Sequence, residues 1–156
     1  MEQIDILIHP ESIVHSMVEY RDGSVIAQLG IPDMITPISY ALSFPRHRET
    51  NLPPLRLEET GTLTFKNPDI ERFKCLGLAL RAANTGGSMP AVLNGANEMA
   101  VEYFLGARIG FLQIPLLIER VMERHETFSP DSIESIIKAD RWARKAAEEE
   151  LLRLHS

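Results

Sequence analysis

The spacing of apolar positions changes along this chain, from loose alternation near the start to intervals of three and four in the second half. Alternation puts successive side chains on opposite faces of a strand, whereas intervals of three and four line one face of a helix. Ile4 to Ile8 is a short apolar run closed by Pro10, long enough for one buried strand. Ile13 to Tyr20 and Val25 to Leu29 flank Arg21-Asp22-Gly23-Ser24. Gly23 can supply the positive φ of a turn, so the two runs predict a β-hairpin. On that strand His15 shares a face with Ile13 and Met17 and is expected to be at least partly buried. Pro37 opens a short helix through Phe44, because its missing N–H costs nothing in a first turn. Pro45 stops it.

Residues 45–68 read as a linker, with Pro45, Pro53, Pro54 and Gly61 set among charges. Leu63-Thr64-Phe65 gives a short edge strand near its end. From Asp69, a candidate cap, the pattern is helical. Phe73, Leu76, Leu80 and Ala83 form one face before Gly86-Gly87. Pro90 starts a second helix, with Val92, Leu93, Ala96, Met99, Ala100 and Phe104 in its stripe before Gly106. Ile114, Leu117, Ile118, Val121 and Met122 mark a third. Ser129-Pro130-Asp131 signals a short segment, Ile133 to Ile137, and Asp140 caps a last helix carrying Ala143, Ala147, Leu151 and Leu154. Short connections make such helices antiparallel neighbours. The predicted class is α+β: a hairpin or partial sheet in residues 1–44, the linker 45–68, and a helical bundle in residues 69–156.

Composition narrows the function. The 156 residues are 44% hydrophobic, enough for a core, and carry a formal net charge of −6 with no basic stripe, which argues against nucleic acid. No apolar run is long enough to span a membrane, and the start shows no signal-peptide pattern. The single cysteine, Cys75, cannot form an internal disulfide, and a reducing cytoplasm is the natural setting.

Candidate chemistry concentrates near the start. His9 and His15 can shuttle protons, bind a metal or hydrogen-bond a phosphate, or can fill polar niches in a strand or turn. Their spacing of six does not make a local metal pair on one helical face. Met34, behind the rigid Pro32, suits either a flat ring or core filling. Asn94, Asn97 and Glu98 sit on the second helix, where a hydrogen-bond network is the better reading than a metal role. Arg144 with Glu148, and Lys145 with Glu149, are four-residue pairs on a solvated face. Trp142 among them serves as a dimer anchor or as bundle packing. The chain has no Gly-rich dinucleotide turn, P-loop, Gly-x-Ser-x-Gly elbow or Cys-x-x-Cys.

His9-Pro10-x-Ser12-x-x-His15-Ser16-Met17-Val18, Asp22-Gly23-Ser24, Ala27-Gln28-Leu29-Gly30, Pro32-Asp33-Met34, Thr36-Pro37-Ile38 and Leu93-Asn94-x-Ala96-Asn97-Glu98 occur in this order. Together they closely resemble the 1-deoxy-D-xylulose 5-phosphate reductoisomerase family. The resemblance implies an NADPH-dependent enzyme with a divalent metal (Mg, Mn or Co). Such an enzyme isomerises 1-deoxy-D-xylulose 5-phosphate and reduces it to 2-C-methyl-D-erythritol 4-phosphate, an early step of non-mevalonate isoprenoid synthesis. It also implies a homodimer, with a dinucleotide domain and a catalytic domain preceding a helical bundle. This chain resembles only the end of the catalytic domain, the linker and the bundle.

The residue-level carry-over is short. His15 matches a histidine that supports the substrate pocket. Pro32 and Met34 match positions near the nicotinamide, and His9 has a structural part. No residue matches the family's metal or phosphate ligands. Ile35 stands where the family usually has arginine, and Gly95 where alanine is usual inside a helix. The expectation is a chain inactive by itself, binding neither NADPH, metal nor phosphosugar alone. The alternative is a stand-alone dimerisation or interaction module. Either way, pairing or aggregation is expected through exposed strands near 13–29.

Overall fold

The computed structural model describes residues 3–154 as two compact units, one of Ile6–Pro68 and one that joins residues 3–5 to the stretch from Asp69 onward. In the first unit, β1 (Val14–Glu19) and β2 (Val25–Leu29) pair antiparallel, as the alternation predicts. The turn is held by Asp22, whose Oδ1 accepts from the Ser24 N–H at 3.0 Å and from the Ser24 hydroxyl at 2.6 Å, with Gly23 at φ +82°. Helix α1 (Ile35–Ser43) follows, and one turn of helix, α2 (Leu57–Thr60), lies further on. Burial is sparse here: Ile13 is buried, but no residue of α1 is.

Two expectations for this unit need correction. Ile4 to Ile8 forms no buried strand. Ile8 makes a single antiparallel bridge to Lys66, and Ile4, Leu7 and Ile8 stay exposed. With one paired residue and no covering layer among the described residues, the run has nothing to bury against. The stretch 45–68 does not simply run over a surface either. Its far end returns to the start of the chain, with Thr64 and Lys66 bonded to His9, Glu11 and Ile8. Leu63-Thr64-Phe65 adds no strand beyond that bridge.

The second unit is the helical bundle: α3 (Lys74–Thr85), α4 (Met89–Leu105), α5 (Gln113–Glu123) and α6 (Ile133–Leu154). Helix α4 packs against the other three. The α5 stripe is as predicted, with Ile114, Leu117, Ile118, Val121 and Met122 all buried. On α3 the buried positions are Leu78 and Ala82, while Phe73 and Ala83 lie exposed. On α4, Tyr103 is buried in place of Phe104. Spacing gives the period of a helix, but its rotation is set by which side chains its neighbours accept.

Ile133 to Leu154 is one continuous helix, not a short segment followed by a capped one. Nothing in Lys138-Ala139-Asp140-Arg141 breaks a helix, so Asp140 lies within it and accepts from Arg144 Nε at 2.8 Å. Helices α4 and α6 pack together, and both bring small residues into the core: Ala96 and Ala100 on one, Ala139, Ala143, Ala146 and Ala147 on the other. Gly95 belongs to this contact. A Cβ there would stand 3.0 Å from the Asp140 carbonyl oxygen and 3.2 Å from Ala143 Cβ.

Candidate functional site

The hairpin register is regular from Glu19↔Val25 to Ser16↔Gln28 and then jumps to Val14↔Leu29. His15 is the extra residue, left out of the ladder. A bulge re-aims a side chain that regular alternation would fix to one face. This overturns the expected burial of His15, which is exposed. Its ring lies over the chain just beyond β2, with Nε2 3.8 Å from where a Cβ on Gly30 would be. Gly30 N–H donates to Ile13 O at 3.0 Å and closes the ladder below the bulge.

From Gly30 the chain enters the turn that carries Pro32 and Met34. Asp33 N–H donates to Ile31 O at 2.8 Å, and Asp33 Oδ1 accepts from Ile35 N–H at 2.7 Å. This Asx turn sets Met34 at the head of α1. Pro32 is exposed and Met34 is 68% exposed, so neither fills a core among the described residues. Ile35 is also exposed. The arrangement is an open apolar shelf, Pro32 and Met34, continuous in the chain with the glycine under a bulge-aimed imidazole.

His9 sits apart from this shelf as a packed residue. Its side chain is 7% exposed, its ring stacks on Phe65 at a 4.7 Å centroid distance, and its Nδ1 donates to Thr64 O at 2.8 Å. Glu11 Oε2 is 3.0 Å from the same nitrogen. Glu11 also accepts from the Thr64 hydroxyl at 2.6 Å and the Thr64 N–H at 3.1 Å. The hydroxyl bond in particular holds its carboxyl below the ordinary range. His9 Nε2 is buried without a partner among the described residues. Thr64 lies 55 residues from His9 in the chain, beyond any local pattern, whereas Glu11 is its near neighbour in sequence.

In the bundle, Asn94 Nδ2 donates to Glu98 Oε1 at 3.1 Å, and Arg144 bridges Glu98 to Asp140. Asn94 and Glu98 thus enter a hydrogen-bond network, as expected, but it joins α4 to α6 within the bundle and leaves out Asn97. The guanidinium's hydrogen bond pulls the Glu98 carboxyl below its ordinary range. Neither four-residue pair forms as expected: Arg144 turns to Asp140 and Glu98, and Glu149 pairs with Arg124 of the segment after α5. Trp142 packs partly buried on the core, its ring 4.9 Å from that of His125. Among the described residues, no three His, Cys, Asp or Glu side chains gather where they could hold a metal ion. No helix among them is long and apolar enough to cross a membrane.

A family profile described as the DXP reductoisomerase C-terminal domain matches residues 29–146. The chain is 58% identical over 146 residues to the 1-deoxy-D-xylulose 5-phosphate reductoisomerase of Trichlorobacter lovleyi, covering 94% of this chain and 37% of that protein. It is 54% identical over 148 residues to the enzyme of the same name from Acetivibrio thermocellus, covering 95% of this chain and 39% of that one. Among solved structures, the Zymomonas mobilis reductoisomerase in complex with NADPH is 43% identical at a TM-score of 0.87, covering 93% of this chain and 38% of that chain. A DOX-P reductoisomerase in complex with NADPH, fosmidomycin and magnesium is 39% identical at a TM-score of 0.89, covering 96% of this chain and 39% of that chain. The chain therefore spans less than two fifths of the length of these curated relatives.

Proposed function

The chain belongs to the 1-deoxy-D-xylulose 5-phosphate reductoisomerase family, and on that premise we propose that it supplies one wall of a reductoisomerase active site. That site serves the NADPH- and metal-dependent conversion of 1-deoxy-D-xylulose 5-phosphate to 2-C-methyl-D-erythritol 4-phosphate. The observation that carries this reading is the bulge: it takes His15 out of the hairpin ladder and sets its ring beside Gly30, where the Pro32–Met34 turn begins. Pro32 and Met34 fit the flat nicotinamide of NADPH. A rigid ring and a polarizable thioether, both exposed, form a shelf that a planar group can cover. His15 supports the phosphosugar pocket beside it. NADPH, when bound, supplies the hydride; this chain's part is to place the ring and shield one side of it from water.

The residues here do not fit a metal site, since no ligand cluster stands among those described, and we derive no step through the metal from them. We propose that the metal ligands and the main NADPH site come from sequence that this chain does not match, and that the 156-residue chain is inactive by itself. We place it in the cytoplasm, in keeping with its lone free thiol, Cys75.

Two assays test the reading. The purified chain is expected to show no substrate-dependent NADPH oxidation, and turnover above background would overturn its inactivity. A chimera in which this chain replaces the matching stretch of the Zymomonas mobilis enzyme is expected to be active. In that chimera His15→Ala and Met34→Ala should each lower kcat/KM, and full activity in both would remove the proposed wall.

The second reading, an interaction module, is favoured by one observation of its own. Met17, Val18, Tyr20, Val25 and Ile26 all stand exposed on the hairpin. Homodimer formation through this hairpin is part of the proposal.

A further inference from the structure

Ser88 has no exposed surface, and its hydroxyl lies 2.7 Å from Nε2 of His125. The same Oγ accepts from the Phe128 N–H at 3.1 Å, and the Ser88 N–H donates back to Phe128 O at 2.9 Å. Three hydrogen bonds thus join the residue before α4 to the segment leaving α5. The approach is close enough that a Cβ on Gly87 would meet Phe128 O at 2.5 Å.

Proton positions follow from counting donors. With Phe128 N–H directed at Oγ, the Ser88 proton is satisfied by pointing at Nε2, so the imidazole is neutral and carries its hydrogen on Nδ1. Protonating the ring turns Nε2 into a donor. The buried Ser88 hydroxyl proton then loses its acceptor in a place water does not reach.

We propose that the Ser88–His125 hydrogen bond is a protonation-sensitive latch, which closes residues 124–129 onto the start of α4 and holds one wall of the adjoining cavity. That cavity, about 570 Å³, is lined by this segment and by α6 with its entry, including His125, Phe128, Lys138 and Trp142. The charged groups that share this cavity with His125 are mixed: Glu126 on its own segment, which favours the imidazolium, Asp131 before α6 and Lys138 on α6. Arg124 is occupied by Glu149 and Glu150 of α6, and the start of α4 presents the neutral Ser88. Burial is the larger influence and already holds the imidazole below its ordinary value, with Glu126 pulling the other way. The latch is therefore shut at neutral pH and released on acidification.

Residue-resolved amide exchange on the 156-residue chain tests this. Between about pH 7.5 and about pH 5, the protection factors of the Phe128 and Ser88 amides should fall about tenfold, on the order of the loss of one hydrogen bond. The core amides of Ala96 and Val121 should hold theirs. In Ser88→Ala the Phe128 amide should be poorly protected at both pH values, with Val121 unchanged. If Ser88→Ala does not fold, the unmodified chain still decides. A loss shared equally by Ala96 and Val121, or no loss at Phe128, overturns the latch.

Discussion

Arg124 Nη1 donates to Glu150 Oε1 across 2.9 Å, tying the end of α5 to α6 through a side chain that is only 4% exposed. Glu150 also receives Arg153 Nη1 at 2.6 Å. The two arginines differ in what they add. Arg124 is 32% exposed and also binds Glu149 across the helix pair, whereas Arg153 is 61% exposed and lies one turn away on Glu150's own helix. Arg124→Ala should therefore lower the unfolding free energy by about 2 kcal/mol, because it removes at once a bond to the buried Glu150 and the pair with Glu149, while Arg153 and, at 3.9 Å, Arg120 stay beside Glu150. Arg153→Ala should cost about 0.5 kcal/mol, as an exposed pair does. Urea unfolding of both variants checks the order, and equal losses would remove the special place given to Arg124.

The α4–α6 contact predicts intolerance at Gly95. A single Cβ already presses on the Asp140 backbone, which cannot rotate away as a flexible side chain would. Gly95→Val adds two further methyl groups against Ala143 and should cost about 1–3 kcal/mol, the range for overpacking a filled core. Thermal unfolding that matches the parent chain would show that α6 can move aside.

Acid sensitivity should trace in part to Glu98. Its carboxyl is held below the ordinary value chiefly by the Arg144 hydrogen bond. Between the folded and unfolded pKa values the unfolded chain binds more protons, so this contribution is complete above the unfolded value of about 4.5. It is lost as pH falls through the lower, folded value. Arg144→Met should lower the neutral plateau and thereby flatten the acid limb of a plot of stability against pH below about pH 4.5, with the two curves converging in acid. An unchanged acid limb would assign the sensitivity elsewhere.

The hairpin, the α5 stripe and the general run of helices were legible because each rests on a local period or a turn residue. Two of the misses, His15 and the Ser88–His125 pair, depend on a distant neighbour, whereas the one at Asp140 is local. His15 looked buried because alternation was extended through it, and a bulge depends on how β2 pairs, which residues 13–20 do not encode alone. Asp140 resembled a cap because the signals before it, Ser129-Pro130-Asp131, suggested a shorter helix than the one that forms. The motif singles out Pro32 and Met34, but no local pattern shows that Met34 lies exposed at the head of α1. Ser88 and His125, 37 residues apart, carried no shared signal at all.

The hairpin's open face leads to the remaining prediction, self-association. A sheet of two strands has two outer edges, each with backbone groups that its partner strand does not satisfy. Val18 and Ile26 sit directly opposite one another across the ladder and are 56% and 62% exposed. An apolar cross-strand pair on an open sheet is withdrawn from water when a further surface covers it. A second copy offers the same pair, and a two-fold arrangement of hairpins would cover both. Sedimentation of the unmodified chain should show reversible dimers or larger species as concentration rises. Val18→Lys with Ile26→Lys should shift the population to monomer, because two like charges per hairpin oppose pairing. Both side chains are already open to solvent, so the unfolding midpoint of the bundle should stay where it was. A parent chain that stays monomeric at high concentration contradicts association through the hairpin. Dimers that survive both lysines move the interface to another surface.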